Sequence, residues 1–337
     1  MTTTPDMSMD TRLLAAIQRA VPLVEQPYAQ LAREIDASPE WVMERVAALR
    51  AEGVIREISG IFDAAALGYH QTLAAIAVPE ERLARAGRTV AEHPGVSHCY
   101  ARRDEVNLWF TLAVSPGSAL GLERTIHILA ADCGARRTLI LPTLTRYKLH
   151  VRFGDERDAG ETTAPRSMGV PPQFSESQTL AVRALQVDLP VQADPFSPLA
   201  ELADTSVEGL LRHAADFQRI GVLRRYAAVL HHRQAGAAAN LLVAWEVVDE
   251  TAVDAAGAAC AALPQVSHCY HRARASDWSF DLYTMIHGPS GAHCLDTVQT
   301  IIARTGLHHR QELWTTAEFK KQRVKLLGPE ERQWETA

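Results

Sequence analysis

Histidine and arginine are the residues with most to offer chemically, and they are unevenly spread. The chain has 14 His, nine of them after residue 169. Several stand beside arginine: Arg224-Arg225, then His231-His232-Arg233, then His268 with His271 and Arg272, and finally His287. Arginine presents a fixed, bidentate fork to carboxylates, and histidine donates or accepts a proton near neutral pH. Together they suit a polycarboxylate ligand that undergoes proton-assisted chemistry. His231, His232 and His268 are therefore the expected catalytic groups. Arg225, Arg233, Arg272, His271 and His287 are the expected substrate contacts. Adjacent histidines on a strand face opposite ways, so the HHR run is poor metal-ligand spacing. The five cysteines (Cys99, Cys133, Cys260, Cys269 and Cys294) form no CxxC pair, and no metal is expected. There is no glycine-rich phosphate loop, nucleophile elbow or HExxH motif.

The elements that must hold these residues occur twice. Val96–Tyr100 (VSHCY) recurs unchanged at Val266–Tyr270, an offset of 170. Glu52–Arg56 recurs loosely as Ile220–Arg224, an offset of 168, and Asn107–Leu112 (NLWFTL) falls opposite Asp277–Leu282 (DWSFDL), again at 170. Three blocks in one order at nearly one offset indicate a duplication. Residues 152–178, rich in Gly, Pro, Ser, Thr and charge, read as the linker.

Each copy opens with helices. Asp10 is placed to cap the first, Pro27 sits at the start of the second, and Ser38 caps a third that Gly53 ends before a strand at Ile55–Phe62. That is a winged helix-turn-helix, expected at residues 10–62 and again at 179–226. Alternating strands and helices then give βαββαβ, a ferredoxin-like α+β plan, over 63–151 and 227–328. Strand alternation puts Tyr270 and Arg272 on one face with His268, and His271 on the other face or in the turn. It also sets Arg225, His231 and Arg233 on one face, on or just beyond the first strand of the second ferredoxin-like unit. The first copy keeps His98 and Arg102 but has Phe62-Asp63 near the place of His231-His232. One copy thus reads as functional and the other as supporting, with His98 and Arg102 the counterparts in any first-half pocket.

The balance of charge bears on partners. With 34 Lys+Arg against 40 Asp+Glu in 337 residues, the net charge is −6. A nucleic-acid coat needs a basic face. The recognition-helix segment Glu40–Glu52 instead carries Glu40, Glu44 and Glu52 against Arg45 and Arg50, which argues against DNA binding. Dispersed cysteines, the lack of an apolar signal core and the lack of a membrane-length apolar run point to a cytoplasmic chain.

A winged helix-turn-helix followed by βαββαβ is the plan of Lrp/AsnC transcription regulators. Closer still, Arg56–Tyr69 (REISGIFDAAALGY), His93–Tyr100 (HPGVSHCY), NLWFTL, Tyr283–Gly288 (YTMIHG) and Arg224–Arg233 (RRYAAVLHHR) resemble siroheme decarboxylases in their fused form. The resemblance covers both halves. It implies loss of carboxyl groups from the acetate side chains of siroheme at C12 and C18, giving didecarboxysiroheme for heme d1 or alternative heme biosynthesis. It also implies that no external cofactor is needed, because the substrate brings its own iron and conjugated ring. An internal pseudo-dimer follows from the fusion, compatible with a homo-oligomer. A DNA-binding regulator and a non-catalytic tetrapyrrole binder are the competing readings.

Overall fold

Helix α1 (Met9–Arg19) is capped by Ser8, whose Oγ accepts the Thr11 N–H; Asp10 lies inside its first turn. The expected cap is thus displaced by two residues, which frees the Asp10 carboxylate to take two hydrogen bonds from Arg45, each 2.8 Å. Helices α2 (Pro27–Ile35) and α3 (Pro39–Ala51) start at prolines and bury Leu31, Ile35, Val42, Val46 and Leu49. Gly53, at φ +66°, makes the left-handed exit that glycine adopts without strain, and β1 (Ile55–Phe62) follows. The first half continues through β2 (His70–Ala77), α4 (Glu80–Glu92), β3 (Val96–Arg102), β4 (Leu108–Val114), α5 (Gly121–Asp132), β5 (Arg137–Leu141) and β6 (Thr143–Leu149). The second half comprises α6 (Glu176–Leu185), α7 (Ser197–Leu202), α8 (Val207–Arg219), β7 (Leu223–Leu230) and β8 (Ala239–Trp245). It then runs through α9 (Val253–Ala261), β9 (Val266–Arg272), β10 (Leu282–Gly288), α10 (Gly291–Thr305), β11 (Arg310–Lys321) and α11 (Glu330–Glu335). The computed structural model describes residues 8–149, 172–230 and 239–336.

The chain divides into two units, and neither is one of the sequence halves. Of the described residues, the first unit takes 8–68, 172–230 and 325–328, and the second takes 69–149, 239–324 and 329–336. In the first unit the two wings pair with each other: β1 lies antiparallel to β7, with Gly60 opposite Tyr226 and Ile61 opposite Arg225. Arg225 therefore stands on a wing strand and not on the ferredoxin-like sheet, a correction to the sequence reading. A strand hydrophobic enough to bury Tyr226, Ala227 and Ala228 finds its ladder in the equivalent strand of the other copy. The first helix of the winged unit expected at 179–226 begins at Glu176, where Ser175 and Gln178 form a capping box, so it opens inside the stretch assigned to the linker.

The second unit holds both βαββαβ blocks. Its sheet runs β5-β2-β4-β3-β11-β8-β10-β9-β6, two ferredoxin-like ladders each completed by a strand from the other half. β11 pairs with β8 over Arg310–Trp314 and then with β3 from Thr315 to Lys321. The first half does the same across Pro142: β5 pairs with β2, and β6 crosses to β9. The βαββαβ plan read from the sequence contains neither crossing segment.

The crossings are locked by equivalent residues at an offset of 172. Tyr147 and Phe319 sit at bulges in the crossing strands, and their rings lie where a Cβ on the helical glycines Gly257 and Gly87 would otherwise be. Lys148 donates to the Leu263 carbonyl at 2.8 Å, and Lys320 to Ala91 and His93 at 2.7 and 2.9 Å. Both ammonium groups thus satisfy carbonyls at the C-terminal ends of α9 and α4, where a cation is favoured.

One side of each ladder is covered by its own helices, through Phe110, Leu112, Ile126 and Leu129 in the first half and Val243, Trp245, Ile286 and Val298 in the second. The other sides share one core that includes Trp109, Leu139, Leu141, Leu242, Trp278, Tyr283 and Leu313. The β4 and β10 ladders also change the repeat alignment. Tyr100 pairs with Trp109 and Tyr270 with Tyr283, so the structural offset here is 174 and LWFTLAV matches LYTMIHG. The DWSFDL segment is instead mostly an inserted loop. In it Trp278 packs 5.7 Å from Trp109, ring centre to ring centre, and donates to the Tyr283 hydroxyl at 2.7 Å.

Candidate functional site

Directly opposed residues in a ladder share a face. Tyr270 stands opposite Tyr283 and Arg146, and His268 opposite Met285; His287, two residues beyond Met285, shares its face and lies opposite Asn240. His268, Tyr270, Arg272 and His287 therefore lie on the side of the sheet away from α9 and α10. His271 pairs with Leu282 and Thr145 and falls on the other side, apart from this group. His268 Nδ1 lies 2.9 Å from Ser267 Oγ, and its ring stacks on Tyr270 at 6.2 Å. His268, Tyr270, Met285 and His287 are all half-buried, so the face is sheltered yet reachable. His231, His232 and Arg233 lie outside the described residues. Arg225 belongs to the first unit, where its neighbour Arg224 pairs with Asp63 through Nε at 3.0 Å.

The first half presents the same face with different residues. His98 Nδ1 is 3.0 Å from Ser97 Oγ and its ring stacks on Tyr100 at 6.2 Å. At the offset of 174, however, Thr111 replaces Met285, and Ala113 replaces His287. Among the described residues, the second face carries two histidines and the first carries one.

Arg272 and Arg102 were expected to reach carboxylates, and both are committed elsewhere. Arg272 is 6% exposed and Arg102 3%. Arg272 Nη1 donates to the Leu141 carbonyl at 3.0 Å and Thr143 Oγ1 at 2.9 Å. Arg102 Nη1 donates to Leu313 O at 2.8 Å and Thr315 Oγ1 at 3.1 Å. Each guanidinium also lies over a tyrosine, Arg272 4.8 Å from Tyr270 and Arg102 5.4 Å from Tyr100. Burial pulls the pKa of both down, that of Arg102 to about 10. Their role is to pin the crossing strands and orient the two tyrosines.

Sequence reading missed Arg146. It sits on β6, directly across from Tyr270, in a strand whose alternation is hidden behind Pro142. Burial pushes the Tyr270 phenol up, opposed by the positive charges of Arg272 and Arg146. The phenol is therefore a neutral proton donor flanked by cations. Among the described residues no three His, Cys, Asp or Glu converge as a metal site.

His93 is structural. It is 1% exposed, its Nδ1 accepts the Gly95 N–H at 3.0 Å, and its ring meets Trp334 edge-on at 4.2 Å. An open depression of about 580 Å³ beside His70, Arg124 and His127 lies on the helix side of the first ladder, where His70 shares a face with Ala74. It is separate from both histidine-bearing faces. In the first half's recognition helix both arginines are engaged: Arg45 is tied to Asp10 and Glu52, and Arg50 to Asp188 at 2.6 Å and the Leu189 carbonyl at 2.7 Å.

A helix-turn-helix combined with two ligand-binding ferredoxin-like blocks defines the class. Residues 66–148 and 234–320 match the AsnC-like ligand binding domain, and residues 10–56 match the siroheme decarboxylase NirDL-like HTH domain. The chain belongs to the siroheme decarboxylase family, in its fused NirDL type. It is 32% identical over 323 residues to siroheme decarboxylase of Hydrogenobacter thermophilus, covering 96% of each chain. It is 30% identical to the siroheme decarboxylase NirDL subunit of Paracoccus denitrificans, over 86% of this chain and 88% of that one. Among solved structures, the siroheme decarboxylase NirDL in co-complex with an iron-uroporphyrin III analogue superposes with a TM-score of 0.82 at 29% identity, over 98% of both chains.

Proposed function

We propose that this chain decarboxylates siroheme, removing the acetate carboxyl groups at C12 and C18 to leave methyl groups and two CO2. The observation that carries this is the near full-length match to a siroheme decarboxylase, 32% identical over 96% of each chain. The second-half face supplies fitting chemistry. Each step breaks one C–C bond, and the electron pair left on the methylene carbon passes into the conjugated ring of the substrate. One proton then closes the methyl group. No external cofactor enters this balance. His268, with Tyr270 beneath it, is the proton donor on the described face, and Arg146, opposite Tyr270, holds a carboxylate. His231, His232, Arg225 and Arg233 remain part of this proposal on sequence grounds.

A DNA-binding regulator is disfavoured because Arg45 and Arg50 are already ion-paired. Five free, buried cysteines support a reducing, cytoplasmic setting, and among the described residues no helix is long and apolar enough to cross a membrane. The reciprocal strand exchange supports an internal pseudo-dimer. The product would serve heme d1 or alternative heme synthesis. Anaerobic incubation with siroheme followed by mass spectrometry tests the reading. Loss of two carboxyl groups is expected; siroheme bound at unchanged mass would make the chain a binder and overturn it.

A further inference from the structure

The two pseudo-symmetric faces differ in charge at one decisive position. In the second half, crossing strand β6 sets Arg146 opposite Tyr270; in the first, crossing strand β11 sets Glu318 opposite Tyr100. Arg146 and Glu318 are equivalent by the offset of 172 that also relates Thr143 to Thr315 and Tyr147 to Phe319. Around each tyrosine the rest is shared: a buried arginine and a serine-bound histidine. The second face then adds His287 where the first has Ala113. One face thus gathers two arginines and two histidines, and the other sets a carboxylate beside its tyrosine.

We infer that Arg146, delivered from the first half, recognises a carboxylate of the tetrapyrrole at the second-half face, and that Glu318 closes the first-half face to the same ligand. An arginine there provides a bidentate fork for a carboxylate, whereas a glutamate repels one at the same place. Each chain consequently carries one tetrapyrrole site of this kind. The residue that completes it comes from the copy that does not use it. This inference rests on siroheme being the ligand.

The test is siroheme titration of the full chain under anaerobic conditions, followed by absorbance, with steady-state turnover measured in parallel. The parent chain binds one siroheme. Arg146→Glu weakens binding at least tenfold and raises KM by a similar factor, Arg146→Lys falls between, and Glu318→Gln stays within twofold of the parent. Arg146→Gln, with a thermal midpoint near the parent's, decides the matter if the glutamate variant does not fold. Binding by Arg146→Gln within twofold of the parent, or two equivalent sites in the parent, overturns the inference. A parent that neither binds nor converts siroheme overturns the proposed function instead.

Discussion

Arg272 donates a 3.0 Å hydrogen bond to the backbone carbonyl of Leu141, the last residue before one half's strand leaves its own ladder for the other's. The same residue pair recurs as Arg102 and Leu313, at 2.8 Å. The residue after each arginine donates its own N–H to the residue at the crossing, Ala273 to Pro142 and Arg103 to Trp314, both at 2.9 Å. A crossing strand loses its original neighbour at that point, so its polar groups need new partners; these bonds supply them.

Arg272→Met should therefore cost about 2–4 kcal/mol, because it leaves the buried Leu141 carbonyl and the half-buried Thr143 hydroxyl without this donor. Urea unfolding of the full chain measures this. Arg102→Met should lose a similar amount, and a loss under about 1 kcal/mol at both positions would refute the clamp.

Glycine within a helix normally gains about 0.5–1 kcal/mol on replacement by alanine. Gly257→Ala should do the reverse and destabilise by about 1–3 kcal/mol, since its Cβ would overlap the Tyr147 ring in a packed core. Adding Tyr147→Leu should recover part of the loss in thermal melts.

His93 is held neutral: burial, with Lys320 nearby, brings its pKa from 6.5 down to about 4. The unfolded chain takes up this proton as pH falls from 6.5 toward 4 while the folded chain does not. Stability contributed by the neutral ring is thus full above about pH 6.5 and lost below it, by about 3 kcal/mol at most. Unfolding free energies of parent and His93→Gln measured from pH 7 to 4.5 should converge at the acid end.

The two serine-bound histidines should separate in kinetics. His268→Ala is expected to lower kcat for siroheme by about 100-fold, the usual scale for a lost general acid. His98→Ala should stay within about threefold, because Ala113 stands on its face where the other has His287. Equal losses would mean that both faces turn over substrate.

Much of this was legible in local pattern. The VSHCY repeat announced the duplication, Gly53 marked a helix end, and period-two alternation put Tyr270 and Arg272 beside His268. These signals depend only on neighbours a few residues apart. The partner of a strand does not. Nothing local says that β7 pairs with β1, that the strand after Pro142 joins the other half's sheet, or that a four-residue insertion moves the β10 match from DWSFDL to LYTMIHG. Those choices are made by burial summed over both copies, and they determine that Arg272 serves the crossing while Arg146 faces Tyr270. Side-chain chemistry was set residue by residue along the chain; which residues meet was decided by long-range pairing.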